Sequence, residues 1–563
     1  MGNTTSSVIA LPLDPPPYSR ERRTTLPDLL CCGSAADEQT EQVLHAEEKV
    51  HYNDQPRPIP PPAYFPSVIF THALGSEAQD FAKFLQKYPE YALTSPLDTL
   101  RETQYTRLAL QGETYVDYTG GGMYPEILTS SLTEFLNTNV LGNTHSVNNS
   151  SKLSMKCADE ARKAALQFFG ASEDEYTVVF TPNATGALKL VGESFPFAPG
   201  GSYVLSADSH NSVNGVRQFA LDKGAELVYI PTGAVGGVDN MLDKHKPAPG
   251  KKALLILTAQ SNATNSKMDL SLIEYAAKLG YNTMVDAAAW LPCTPISLSE
   301  VGADAMCVSF YKMFGYPTGL GALVAKKKFL LDVLQRPWFG GGTINLVQAP
   351  GKIMIRNSIP NERFEDGTIN YASTKAITLG LNFLSLYQPY TGVRISTIMH
   401  YMCDTVPTIV HDSGCKERVA EIVSRDPGPR VTEVGKHPDT GTITALLFYD
   451  NSNKLLPISF IEFAAAKNNI SLRGGCLCNP GGVAAMMGIQ KQMEELDPHI
   501  KSKEEWEKQL GRELGVIRVS WGLVSNFQDA WNVLQFVRLI GNAKAKEKLW
   551  KEYCDGKRPP SQF

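Results

Sequence analysis

Between residues 176 and 325 short apolar runs alternate with amphipathic segments, and this alternation constrains the fold more than any other feature of the chain. YTVVFTP (176–182), SYVLSA (202–207), ELVYIP (226–231), ALLILTA (253–259), NTMVDA (282–287), MCVSF (306–310) and GALVA (321–325) are short, apolar and bounded by turn residues, which predicts buried strands. NATGALKLVGESF (183–195), NSVNGVRQFALDKG (211–224) and LSLIEYAAKLG (270–280) fall between them with helical spacing. KLSMKCADEARKAALQFF (152–169), closed by Gly170, is a further helix ahead of the series. Strands alternating with helices imply an α/β fold, with a mostly parallel sheet covered on both faces. In such a sheet ligands sit at the carboxyl ends of the strands.

Beyond about residue 390 the alternation loosens. Helical segments near 394–411 and 458–468 flank the strand TITALLFY (442–449), and VIRVSW (516–521) precedes the helix NFQDAWNVLQFVRLIG (526–541). This reads as a smaller α+β domain over 391–563. Residues 67–390 hold an N-terminal segment and the large domain. Residues 1–66 carry 11 of the 36 prolines and 5 Lys/Arg against 9 Asp/Glu, the composition of a disordered tail. Two PPxY strings lie in it, Pro15–Tyr18 and Pro61–Tyr64. Each is either a ligand for a WW-domain partner or part of a solvated linker.

The net charge of −5 leaves no electrostatic footprint for nucleic acid. No apolar run reaches the length of a membrane span, and the first residues lack the pattern of a secretion signal. Gly2 and Ser6 match the myristoylation pattern, which an ordinary terminus also satisfies. Ten cysteines in 563 residues are too few for a disulfide framework, so a reducing, cytoplasmic setting is expected.

Four strand ends carry chemistry. After 176–182, Thr181-Pro182-Asn183-Ala184-Thr185-Gly186 opens a helix, and a helix N-terminus suits a phosphate as well as an ordinary cap. His210 follows the second strand, as a stacking, acid–base or merely structural group. Asp286 follows the apolar stretch 282–285 and precedes three alanines, which leave room for a flat ring with a cationic nitrogen; a helix cap is the alternative. Lys312 stands between Phe310, Tyr311, Met313 and Phe314, where burial would favour the neutral, nucleophilic amine over a snorkelling cation. Together these are the parts a pyridoxal 5′-phosphate (PLP) site needs.

YVDYTGGGMYP (115–125), LGNTHS (141–146), SFYKMFGYPTGLGAL (309–323), FGGGT (339–343) and RGGCLCNPGG (473–482) resemble segments of class V, fold-type I PLP enzymes. The resemblance is to the cysteine desulfurase branch, and within it to the N-terminal domain of molybdenum cofactor sulfurases, over roughly 110–540. It implies a large domain built on a seven-stranded sheet. It also implies that Lys312 is the Schiff-base lysine, that Asp286 pairs with the pyridine nitrogen and that His210 stacks on the ring. Ala184, Thr185, Ser309 and Tyr311 would hold the phosphate, with Tyr311 where desulfurases usually carry histidine. FGGGT and ERFEDGT (362–368) resemble segments that reach a neighbouring subunit's phosphate. This makes Gly342 and Thr368 candidates and a homodimer the expected assembly. Arg473 would clamp the carboxylate of an amino-acid substrate, with L-cysteine implied, and Arg518 would be a second carboxylate or orienting group. Cys478 has the spacing of the persulfide cysteine, with Cys476 as its rival. A metal at this Cys-x-Cys pair is not expected, because no second Cys/His pair stands at zinc-site spacing.

The departures from the family are Tyr118 where a histidine is usual, Thr144 in place of proline, and Val483 where a third cysteine often stands. With the chain ending at Phe563, the second domain of a full sulfurase is not expected. The implied reaction is conversion of L-cysteine to L-alanine with formation of a protein persulfide. Transamination, lyase or carbon–carbon bond chemistry on the same cofactor, or an inactive scaffold, are the alternatives. The sulfur acceptor is not readable.

Overall fold

A computed structural model describes residues 76–233, 237–412 and 416–556. The two PPxY strings and Gly2 lie outside the described residues. The seven predicted strands all form and join one sheet: β1 (Tyr176–Thr181), β2 (Ser202–Ser206), β3 (Glu226–Ile230), β4 (Ala253–Thr258), β5 (Tyr281–Asp286), β6 (Ala305–Ser309) and β7 (Gly321–Lys326), in the order β1-β7-β6-β5-β4-β2-β3. β2 to β6 pair parallel in that order, and β7 runs antiparallel to both its neighbours, β1 and β6. Six strands therefore end on one edge of the sheet.

Side chains alternate across this sheet, and both faces are buried. Tyr203 and Leu205 pack with Leu188, Val191, Val213 and Val216 on one face. Val204, Leu255 and Ile230 pack with Val238, Leu242 and Ala276 on the other. The covering helices include α1 (Asn149–Phe168), α2 (Ala184–Ser194) and α3 (Asn211–Asp222), close to their predicted spans.

A second sheet, antiparallel throughout, has the order β8-β9-β11-β10: β8 (Ala420–Ile422), β9 (Ile443–Phe448), β10 (Arg473–Gly475) and β11 (Val516–Ser520). Its core joins Leu446, Phe448, Ile517 and Val519 to Phe84, Tyr88 and Tyr91 from the N-terminal helical segment. Two short strands, β8 and β10, escaped the sequence reading, because three residues are too few to show a period.

The largest difference from expectation is α4, which spans Thr374–Thr405 instead of starting near 394. Pro389 lies inside it, in a run (Gln388-Pro389-Tyr390-Thr391-Gly392) that reads locally as a turn. Burial on several sides, through Ile377, Leu381, Leu384, Val393 and Ile398, overrides the local preference. The helix passes unbroken through residue 390 and packs against α1, the 3₁₀ turn Pro89–Thr94 and β9.

Arg394 on α4 is fully buried and bidentate to Asp98 at 2.8 and 2.6 Å; it also donates to Thr94 Oγ1 and O and to Ser525 O. Removing one partner of a buried pair leaves an uncompensated charge. Asp98→Ala is therefore expected to lower unfolding free energy by about 3–5 kcal/mol, measured by urea denaturation. Among the described residues no helix is long and apolar enough to cross a membrane.

Candidate active site

Lys312 sits on the single helical turn Phe310–Phe314 that follows β6, so the chain delivers it to the edge where the six strands end. Asp286, the last residue of β5, is 6% exposed. Its Oδ1 accepts from Ala288 N at 3.1 Å and from Cys307 Sγ at 3.4 Å. Burial, with Asp286 alongside, pushes the Cys307 thiol well up, so it remains a protonated donor.

His210 caps α3, and its Nδ1 accepts from Ser212 N at 3.1 Å. That bond puts the proton of the neutral ring on Nε2. Withdrawal from water lowers the pKa of Lys312 and of His210. Asp286 opposes the shift at both, while Arg473 and Arg518 reinforce it. These five residues thus form one electrostatic group.

The start of α2 lies beside them. Asn183 caps it by accepting from Gly186 N at 2.9 Å, and Ala184 N donates to Ser309 Oγ at 3.0 Å. Thr185 Oγ1 and Ser212 Oγ are 2.8 Å apart, so two hydroxyls flank the helix N-terminus. β7 enters tightly here: a Cβ on Gly321 would lie 2.6 Å from Asn183 Cα. Tyr311 O accepts from Gly122 N at 3.1 Å, and a Cβ on Gly122 would come within 2.7 Å of Lys312 O. The Gly120–Gly122 run is therefore pressed across the Tyr311–Lys312 backbone. Burial raises the Tyr311 pKa, against the opposing pull of Arg473.

The two arginines differ. Arg473 on β10 is exposed, and its guanidinium makes no hydrogen bond or ion pair among the described residues. Arg518, its cross-strand neighbour on β11, is 1% exposed and already engaged. It binds Asp117 Oδ1 at 2.5 Å and Asn262 O at 3.0 Å.

The two cysteines also diverge. Cys476 O accepts from Asn479 N at 2.9 Å, closing a turn whose central residues Leu477 and Cys478 have φ of 56° and 54°. Glycine, asparagine and aspartate dominate such left-handed pairs. Cys478 O accepts from Asn211 N at 2.7 Å, which sets Cys478 against the residue after His210. Cys476 instead packs against the apolar core that holds Val483, Met487 and Trp506, with Lys503 nearby.

Gly342 and Thr368 gather elsewhere, on the segment 141–146. A Cβ on Gly342, whose φ is 81°, would fall 2.6 Å from His145 Cε1. Thr368 Oγ1 accepts from Asn143 Nδ2 at 3.2 Å. Tyr118 is buried with its hydroxyl unpartnered, and shares a small cavity with Lys312, Met123 and Leu523. Among the described residues no cluster of three or more His, Cys, Asp or Glu is placed to hold a metal.

Four residues of this region were not singled out from sequence: Asp117, Asp208, Asn262 and Asn479. Polar residues in loops are too common to signal themselves. The one local sign was the Asn479-Pro480-Gly481-Gly482 string, an N-cap followed by proline at the first helical position.

The sheet order and the strand-end Lys, Asp and His define a fold-type I PLP-dependent enzyme class. The model of the class-V aminotransferase family matches residues 114–391 of the chain. The chain is also similar to molybdenum cofactor sulfurases. It is 31% identical to that of Solanum lycopersicum over 82% of this chain and 59% of the relative. It is 30% identical to that of Bos taurus over 82% of this chain and 54% of the relative. The chain thus spans between half and three-fifths of the length of these relatives. Among solved structures, the apo cysteine desulfurase of Thermococcus onnurineus NA1 superposes with a TM-score of 0.61 at 21% identity, covering 78% of this chain and 97% of that one. The cysteine desulfurase CsdA of Escherichia coli gives 0.60 at 20% identity, covering 80% and 98%.

The residues present fit PLP. A buried carboxylate faces a lysine withdrawn from water, an imidazole is fixed by its Nδ1 with its ring edge otherwise free, and a helix N-terminus carries two hydroxyls.

Proposed function

We propose that the chain is a cysteine desulfurase, converting L-cysteine to L-alanine and leaving the sulfur as a persulfide on Cys478. The observation that carries this reading is the bond between Asn211 N and Cys478 O, which holds a thiol-bearing turn beside His210. The reaction balances without a further reductant, since L-cysteine and one protein thiol yield alanine and one persulfide.

Asp286, His210 and Lys312 would hold the cofactor ring, and Ala184, Thr185, Ser309 and Tyr311 its phosphate. When bound, PLP supplies an electron sink for the carbon that loses its proton. Lys312 Nζ, kept neutral more readily by burial, takes that proton from the substrate Cα. Asp286 keeps a proton on the ring nitrogen. The Cys478 thiolate receives the substrate's sulfur.

Arg473, the unpaired guanidinium, clamps the substrate carboxylate. Arg518 serves as an orienting group, because Asp117 and Asn262 already occupy its donors. Arg473→Ala is expected to raise KM for L-cysteine about 10- to 100-fold with a much smaller change in kcat. Arg518→Ala should instead lower the melting temperature by freeing a half-buried Asp117.

Gly342 and Thr368 are proposed to complete the phosphate site of a second copy, so the active form is a homodimer. Sedimentation of the holoenzyme checks this. Thiol chemistry of this kind suits a reducing compartment, and a cytoplasmic location is proposed. The PPxY strings are proposed as ligands for a WW-domain partner, checked by titrating the tail peptides with one.

The deciding experiment is incubation of the PLP-loaded protein with L-cysteine, measuring alanine and persulfide. Turnover of amino acids without sulfur, and none of cysteine, would point to transamination or another PLP reaction instead.

A further inference from the structure

The turn that carries Cys478 belongs by sequence to the small sheet, yet almost every polar bond that fixes it comes from loops at the edge of the large one. Asn479 is fully buried. Its Nδ2 donates to Asp208 Oδ1 at 2.7 Å and to Asn262 Oδ1 at 3.0 Å, and its Oδ1 accepts from Gly482 N at 3.0 Å. Asn262 Nδ2 in turn donates to Leu477 O at 2.7 Å. Asp208, two residues before His210, also accepts from Ser261 Oγ at 2.6 Å and from Thr264 Oγ1. The backbones are in contact as well. A Cβ on Gly481 would lie 2.2 Å from Ala207 O, and one on Gly482 would lie 2.5 Å from Asp208 Oδ1. Two adjacent non-glycine residues in the left-handed region persist only where their surroundings over-determine them, and here Asn479, Asn262 and Asn211 do so.

We propose that Asn479, anchored by Asp208 and Asn262, is a positioning residue that locks the Leu477–Cys478 turn and so fixes the thiol of Cys478 against the His210 loop. The proposal rests on the reading of Cys478 as sulfur acceptor only for its consequence in turnover; the lock itself is a property of the free protein. Without the lock, Leu477 and Cys478 relax out of the left-handed region, and the thiol samples positions away from the cofactor edge. The bond to Asp208 is charge-assisted, which places it among the stronger hydrogen bonds. Its loss is expected to cost about tenfold or more in the rate of a step that needs the thiol in place.

The test uses the full chain with Cys476→Ser, so that Cys478 is the turn's only thiol, and compares Asn479 with Asn479→Ser and Asp208→Asn. Serine still caps the helix that begins at Pro480, but it cannot reach Asp208 and Asn262 together, so the fold is retained. The first readout is alkylation of Cys478 by iodoacetamide, followed by peptide mass spectrometry across a pH series, with no cysteine added. The expected result is a several-fold faster rate and an altered pH profile in both variants; in Asn479→Ser the far-UV circular dichroism is unchanged while the melting temperature falls, since buried Asp208 loses a donor. The second readout is alanine formation by the PLP-loaded protein, where kcat should fall about tenfold or more with KM nearly unchanged. Alkylation rates and profiles matching the Asn479 protein in both variants would overturn the lock. If the parent protein forms no alanine from L-cysteine, the desulfurase reading fails, and the alkylation comparison still decides the lock.

Discussion

Lys312→Ala is expected to reduce alanine formation from L-cysteine by at least about 10³-fold, the loss that follows removal of a positioned proton-transfer group that also anchors the cofactor. The fold should survive, because Lys312 makes no hydrogen bond or ion pair among the described residues through its side chain. Circular dichroism and melting temperature check that point, and quantified alanine checks the activity. A retained rate would show that the proton at Cα is moved by another group. The same residue predicts a pH effect. Burial lowers its pKa, so the neutral amine is present at lower pH than in an ordinary lysine. Amine-selective labelling of the cofactor-free protein should therefore modify Lys312 with a titration midpoint below the ordinary lysine value. Asp286→Asn removes the opposing carboxylate and should move that midpoint further down.

The second large effect separates the two cysteines. Cys478→Ser is expected to reduce alanine formation by about two orders of magnitude and to abolish persulfide on the turn. Cys476→Ser should change little, since Cys476 packs against the apolar core of Val483, Met487 and Trp506. Trapping the persulfide by alkylation and locating it by peptide mass spectrometry reads both variants at once. Equal losses in the two variants, or persulfide on Cys476 alone, would overturn the assignment. A normal PLP spectrum in Cys478→Ser would place the defect after cofactor binding.

The large sheet was legible in the sequence because its strands are buried on both faces. The run 253–257 is accordingly apolar at every position, which fits a covered strand. Lys312, Asp286 and His210 were legible for a related reason: each is a polar group placed directly after such a run, where position alone implies the strand end. Arg518 illustrates what is lost. Its type and place suggest a carboxylate ligand, but only the fold shows that the carboxylate is Asp117. Asp208, Asn262 and Asn479 were hidden because their contacts join loops more than 50 residues apart, Asp208 to Ser261 being separated by 53 and Asn479 to Asp208 by 271. Hydrogen bonds between distant loops leave no periodic trace. The course of α4 was hidden by Pro389, whose local preference gives way to packing on the surrounding surfaces.

That helix has a mechanical meaning. At 1.5 Å per residue, its 32 residues make a rod of about 48 Å. Its first half lies along α1 and its second half against β9, so it acts as a beam joining the two sheets. A load applied across the sheets is carried along its axis rather than through a flexible link. Its point of least stiffness is Pro389, where the missing N–H removes one rung of the hydrogen-bond ladder. Bending between the sheets is therefore concentrated at one known residue, and a substitution there changes compliance without touching the chemistry at Lys312.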